Sequence, residues 1–221
     1  MHSRLSGPLL ACAVGATAAS ADHRAEIRFD AREAIALAVA QPEAESPDAA
    51  PDEVHLMRFG DASNEWWATA GVAGGFVVGR EDTFGQGFLS LTTFIADRFE
   101  VGAEFGGWGI DQDGAEDTPG ASAGVLFRWH FLMDEEDRDW SVFASAGVGM
   151  LFTDEDVPFD GTKYNFTPTA GVGFTHRLGD GDNRLIGGLR WQHISNARTA
   201  GGDENGGRDF ATFYVGVMFP F

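Results

Sequence analysis

From Trp66 to Phe221, apolar and polar positions alternate with a period of two. That is the spacing of a strand whose two faces meet different surroundings. Ala121, Ala123, Val125, Phe127, Trp129, Phe131 and Met133 make one apolar row, and Ser122, Gly124, Leu126, Arg128, His130 and Leu132 fill the mixed polar row. Phe99, Val101, Ala103 and Phe105 repeat the pattern against Glu100, Gly102 and Glu104. Trp140, Val142, Ala144, Ala146, Val148, Met150 and Phe152 oppose Ser141, Phe143, Ser145, Gly147 and Gly149. Phe166, Ala170, Val172 and Phe174 oppose Asn165, Thr167, Thr169, Gly171 and Thr175. Such stretches recur at roughly 65–79, 86–95, 98–109, 120–133, 140–153, 164–178, 184–196 and 208–221, so the pattern predicts an all-β fold of eight antiparallel strands.

Two architectures satisfy it. A soluble barrel or sandwich turns the apolar row inward, whereas an outer-membrane barrel turns it toward lipid and fills its interior with small and polar residues. Three features favour the membrane version. The segments, about 10–15 residues each, reach the roughly 9–11 residues that a tilted strand needs to cross a bilayer. The connections alternate, with 96–97, 134–139 and 179–183 short and 80–85, 110–119, 154–163 and 197–207 mostly longer, as periplasmic turns and external loops do. Phe213, Val215, Val217, Phe219 and Phe221 share one parity, and an aromatic last residue on such a strand resembles the terminal signal of outer-membrane barrels. The expectation is an eight-stranded antiparallel outer-membrane β-barrel over 65–221. A closed barrel of that size holds side chains but no water channel, which argues against a porin. Glu100, Glu104, Arg128, His130, Arg177, Arg190 and Gln192 share the inward parity and read as a charge-paired plug.

Composition agrees. The 221 residues include 30 Gly, 19 Phe and 6 Trp, which favours sheet and tight turns over helix. Lys and Arg number 15 against 34 Asp and Glu, a formal charge of -19, so little is available to neutralise nucleic-acid phosphates. Residues 1–21 read as a signal peptide: Arg4, an apolar stretch from Pro8 to Ala18, and Ala19-Ser20-Ala21 as the cleavage site. Leu9-Leu10-Ala11-Cys12 inside it is an alternative lipoprotein site. Cys12 is the one cysteine of the chain, so cleavage would leave neither disulfide nor thiolate chemistry. Residues 22–64 read as an acidic, Ala-rich tail and lead-in, with a short helix expected over about 31–40.

Most chemical motifs fail on context. Gly120-Ala121-Ser122-Ala123-Gly124 matches G-x-S-x-G, but a nucleophile elbow needs a strand, a sharp turn and a helix, and Ser122 lies inside an alternating run. The acidic turns Asp111–Glu116 and Asp180–Asn183 do not fit a full EF-hand loop. His55, His130 and His176 lack metal-ligand spacing, so no metal site is expected. One cluster differs. Leu185, Gly187, Leu189, Trp191, His193 and Ser195 share the outward parity of the seventh segment, while Arg190, Gln192 and Asn196 take the inward one. An ionisable ring in a lipid-facing row is costly and asks for a reason. His193 and Ser195 lie two residues apart, about 7 Å between Cα atoms on one face. Counting back from Phe213 through Ala211 puts Asp209 on the outward face of the next strand, beside them. Imidazole, hydroxyl and carboxylate are the parts of a Ser-His-acid hydrolase. Asn196, Asn205 and the amides around Gly206 and Gly207 could serve an oxyanion or substrate. The same residues could equally be rim polar groups that meet lipid head groups.

His193-Ile194-Ser195-Asn196-Ala197, followed by Asn205-Gly206-Gly207-Arg208-Asp209 and a short amphipathic terminal strand, resembles the lipid A 3-O-deacylases (PagL-like). The resemblance covers 65–221 loosely, and its specific part is 193–209. It implies an integral outer-membrane esterase that removes the 3-O-linked acyl chain of lipid A in the lipopolysaccharide of the outer leaflet, without a cofactor. The acid of that family is commonly Glu. This chain offers Asp209 at the matching position and Glu204 in the preceding loop. The competing expectation is a non-catalytic barrel with an adhesion or envelope-integrity role.

Overall fold

The computed structural model describes residues 58–62, 65–159, 161–200 and 206–221. The signal peptide, the helix expected over 31–40, Asn205, Glu204 and most of the acidic tail lie outside the described residues. The strands are β1 (Trp66–Val77), β2 (Thr83–Ala96), β3 (Phe99–Asp111), β4 (Thr118–Met133), β5 (Trp140–Val157), β6 (Thr162–Phe166), β7 (Thr169–Arg177), β8 (Arg184–Ile194) and β9 (Arg208–Pro220). Each pairs antiparallel with its neighbours, and β1 pairs with β9 to close the sheet on itself. β6 and β7 are halves of a single stave along β5, interrupted at Thr167-Pro168, where proline has no N–H to give the ladder. Register is unbroken across the interruption, since Met150 pairs with Phe166 and Gly147 with Thr169. The result is a closed eight-stranded antiparallel barrel, and no helix occurs among the described residues.

Alternation sorts the side chains. Val72, Leu89, Trp129 and Phe213 are more than half exposed on the outer wall, whereas Glu100, Phe143, Ile186 and Met218 are fully enclosed. Trp66, Trp129, Trp140, Phe219 and Phe221 add exposed aromatics to the apolar exterior. Water would make that arrangement inside-out, and lipid makes it favourable. The chain is an integral outer-membrane barrel.

The lumen is packed in layers. At the end that carries turns 97–98, 134–139 and 178–183, Phe59, Trp67, Phe94, Met133, Phe143, Ile186 and Met218 cluster together. Phe59 therefore belongs to the packed interior, although it precedes the first strand. Beside this cluster Arg128 donates to Glu100 at 2.9 Å, and His130 is hydrogen-bonded to Glu100 and Ser141. Further along, Arg190 donates to Glu104 at 3.1 Å and to Gln86 at 3.0 Å. A hollow of about 40 Å³ lined by Gln86, Glu104, Arg190 and Gln192 is room for water rather than a channel. Val77, Phe84, Trp108, Ile110, Leu151, Val157, Ile194 and Phe210 fill the opposite end. Small residues make space for these rings: a Cβ on Gly75 would lie 2.3 Å from the Phe84 ring.

Three details depart from the sequence pattern. Register between β4 and β5 shifts by one residue between Trp129 and Leu132, so Leu132 faces out and Met133 is buried. A bulge of this kind reverses the parity that periodicity projects from upstream. Arg177 lies at the rim and pairs with Asp139 instead of joining the interior plug. Loop lengths do not alternate cleanly either: 78–82 is no longer than 134–139, because β2 begins at Thr83, ahead of its expected start, and 195–207 is the long connection.

Candidate active site on the outer wall

Antiparallel pairing of β8 and β9 sets His193 directly opposite Asp209. Both side chains leave the outer face, and His193 Nδ1 lies 2.8 Å from Asp209 Oδ1. Strand β8 ends one residue later, but Ser195 remains tied to the wall. It exchanges two backbone hydrogen bonds with Phe166, Phe166 N–H to Ser195 O at 2.7 Å and Ser195 N–H to Phe166 O at 3.2 Å. The His193 amide donates to Pro168 O at 3.0 Å, so the interrupted stave anchors this stretch from the other side. Asn196 then starts a tight turn: its Oδ1 accepts the Arg198 N–H at 2.8 Å, and Ala197 and Arg198 take left-handed backbone conformations.

Ser195 is buried, His193 is about a quarter exposed at its side chain, and the Asp209 side chain is mostly open. The imidazole thus contacts an open carboxylate on one side and lies near a sheltered serine on the other. With Nδ1 directed at Asp209, the opposite edge of the ring faces Gly207. The point where a Cβ on Gly207 would sit lies 2.7 Å from His193 Cε1, 3.2 Å from Nε2 and 3.6 Å from Ser195 Cβ. Imidazole edge and serine therefore flank one small space that exists because residue 207 has no side chain. Gly207 is brought to the site, and Asn196 lies next to it on the inward, buried side.

Two contacts escaped the sequence analysis. Trp191 Nε1 donates to Asp209 Oδ1 at 2.9 Å, and its ring stacks on His193 with centroids 5.7 Å apart. Its place two residues before His193 in the outward row was the available signal, but an apolar row made it look like lipid-facing bulk. Arg208, between Gly207 and Asp209, points the other way and donates to the buried Asp82 carboxylate at 2.8 Å. No sequence signal joins residues so far apart. Below the site a groove of about 730 Å³ runs along the wall, bounded by Asp209 and Gly207 above and by Trp191, Leu189, Val172 and Phe213 along its length. A second hollow of about 420 Å³ shares Val172 and Leu189 and reaches Val142 and Phe174.

The remaining motifs resolve into structure. Ser122 faces the lumen and accepts a hydrogen bond from Trp108 Nε1 at 2.8 Å. His130 is enclosed in the lumen, His176 is on the outer face of β7, and His55 lies outside the described residues. Asp134, Asp137 and Asp139 draw carboxylates together on the turn after β4, where Asp134 Oδ2 accepts the amides of Asp137 and Asp139. Those bonds shape the turn and hold the Asp134 carboxyl below its ordinary range.

The model of the family described as lipid A 3-O-deacylase (PagL) matches residues 107–218. That span includes His193, Ser195, Gly207 and Asp209. No curated protein matches the chain by sequence. Among solved structures the fold is similar to the outer membrane enzyme PagL, with a TM-score of 0.52 and 18% identity over 67% of this chain and 97% of that one. It is also similar to Neisserial surface protein A, with a TM-score of 0.51 and 14% identity over 71% of this chain and 96% of that one. The barrel is thus shared between an outer membrane enzyme and a surface protein. The chain belongs to the lipid A 3-O-deacylase (PagL) family.

Proposed function

We propose that this protein is a serine esterase that hydrolyses the 3-O-linked acyl ester of lipid A in the outer leaflet. Ser195 is the nucleophile, His193 the general base and Asp209 the acid that orients it. The observation that carries the reading is the imidazole held through Nδ1 by Asp209, with its other edge turned to the space shared by Ser195 and Gly207. With Nδ1–H donated to the carboxylate, Nε2 keeps the lone pair that a base needs.

The chemistry balances within these groups. Nε2 takes the Ser195 hydroxyl proton as Oγ bonds to the ester carbonyl carbon, and the carbonyl oxygen becomes an oxyanion. Collapse breaks the bond to the sugar oxygen, which leaves with the proton from Nε2. A water then attacks the acyl-serine ester, again giving its proton to Nε2; the bond to Oγ breaks as Nε2 returns that proton to Ser195, and the chain departs as a fatty acid. The oxyanion is assigned to donors around the site, with Asn196, Asn205 and the amides near Gly207 as the proposed contributors. The wall groove suits the substrate, because it starts at Asp209 and continues between Trp191 and Phe213. An acyl chain already lies along a lipid-facing surface, so little apolar area has to be exposed to reach the site.

Mass spectrometry of lipid A from outer membranes carrying the protein tests the proposal, with Ser195→Ala as the partner. Wild type is expected to strip one 3-hydroxyacyl chain, and Ser195→Ala to lose about 10⁴-fold or more in rate. Heat-modifiable gel mobility verifies that both are folded barrels. Unchanged lipid A with the folded wild type, or equal stripping by the variant, would overturn the reading and favour a non-catalytic barrel.

A further inference from the structure

We propose that Trp191 is a positioning residue of this site: its indole N–H fixes the Asp209 carboxylate while its ring braces the imidazole. The inference rests on the esterase reading and adds a fourth member to the proposed site. Aspartate on an open strand face has a short side chain free to turn toward water, and about two-thirds of the Asp209 side chain is exposed. One hydrogen bond from an imidazole is a weak constraint on such a group. Trp191 supplies a second donor at 2.9 Å to the same Oδ1 that faces His193 Nδ1. It can do so because its direct partner across the sheet is Ala211, whose methyl lets the indole lie diagonally toward Asp209.

The ring does a second thing. Its plane lies 25° from that of the imidazole, which limits rotation of His193 away from Ser195. Trp191 also forms a wall of the acyl groove. A chain seated there would exclude water from both hydrogen bonds to Asp209 and strengthen them when substrate is bound. The charged groups that line the same groove are Asp209 and Arg208 on β9, Arg190 on β8 and Arg80 on turn 78–82. The neighbouring stave contributes the uncharged Pro168.

Trp191→Phe keeps a ring and removes the N–H donor, and its test uses the full-length barrel in detergent micelles with two readouts. In deacylation kinetics, kcat is expected to fall about tenfold with KM within about twofold, as for loss of one hydrogen bond to a charged group. Wild-type kcat would overturn the proposal. The second readout does not depend on activity. In a Ser195→Ala background, the emission difference with and without Trp191→Phe isolates Trp191 from the other tryptophans. That emission is expected to change in intensity or wavelength when His193→Gln removes the stacked ring or Asp209→Ala removes the acceptor of the indole N–H. A Trp191 emission that neither substitution alters would overturn the arrangement. If wild type strips no acyl chain, the esterase reading falls by itself and the fluorescence result decides the role of Trp191.

Discussion

A methyl group at position 207 would stand 2.7 Å from His193 Cε1, closer than carbon atoms tolerate. The imidazole would have to turn, and turning breaks its alignment with Asp209 and Ser195. Gly207→Ala is therefore expected to cut deacylation about 100-fold, the scale of a misplacement near 1 Å, while gel mobility still reports a folded barrel. Asp209→Asn probes the other side of the ring. An amide offers the imidazole the wrong partner for its N–H, and the rate is expected to fall by about 10³–10⁴ with folding intact. Asp209→Glu tests reach instead. The longer carboxylate moves past the Trp191 N–H, so it should retain far more activity than Asn if orientation is the role of the acid.

At the scale of elements, the Asp82–Arg208 pair determines how β9 enters the sheet. Asp82 is buried on turn 78–82, takes Arg208 Nε at 2.8 Å and accepts the Asp113 amide at 2.9 Å. One carboxylate thus joins two turns to the residue between Gly207 and Asp209. Removing it leaves Arg208 without its carboxylate, a loss of about 3 kcal/mol for a largely buried pair. Asp82→Ala is expected to raise hydrogen exchange at the start of β9 and to lower deacylation without abolishing it. Normal exchange there would show that the ladder alone holds the strand. The bulge in β4 belongs to this scale too, since it buries Met133 beside Phe59 and Phe143.

For the whole molecule, the interior carries charge where a soluble protein carries hydrocarbon. Glu100, Arg128 and His130 are enclosed, and each answers another's polarity. A buried ion pair contributes little by its presence and costs much when halved. Glu100→Leu should destabilise the barrel by about 3–5 kcal/mol, read as a lower temperature of conversion on heat-modifiable gels. Adding Arg128→Met should recover most of the loss. A single variant as stable as wild type would mean that water reaches Arg128 in the lumen.

Alternation by itself determined the class of fold, the membership of each face and the row that His193, Ser195 and Asp209 share, because a strand's side chains obey a period of two wherever the ladder is regular. It also marked Glu100, Arg128, Arg190 and Gln192 as interior. Periodicity carries no information where the ladder breaks, so Met133 and Leu132 exchanged faces at a bulge and Arg177 stayed at the rim. Nor does it measure distance between strands. Register within the β8–β9 pair set Asp209 opposite His193 and let Trp191 reach across Ala211, and only closure of the sheet through β1 and β9 put Asp82 under Arg208. Register between paired strands fixes the first two contacts, and the last joins chain segments far apart in sequence, which only the packing of the whole barrel brings together rather than any one strand.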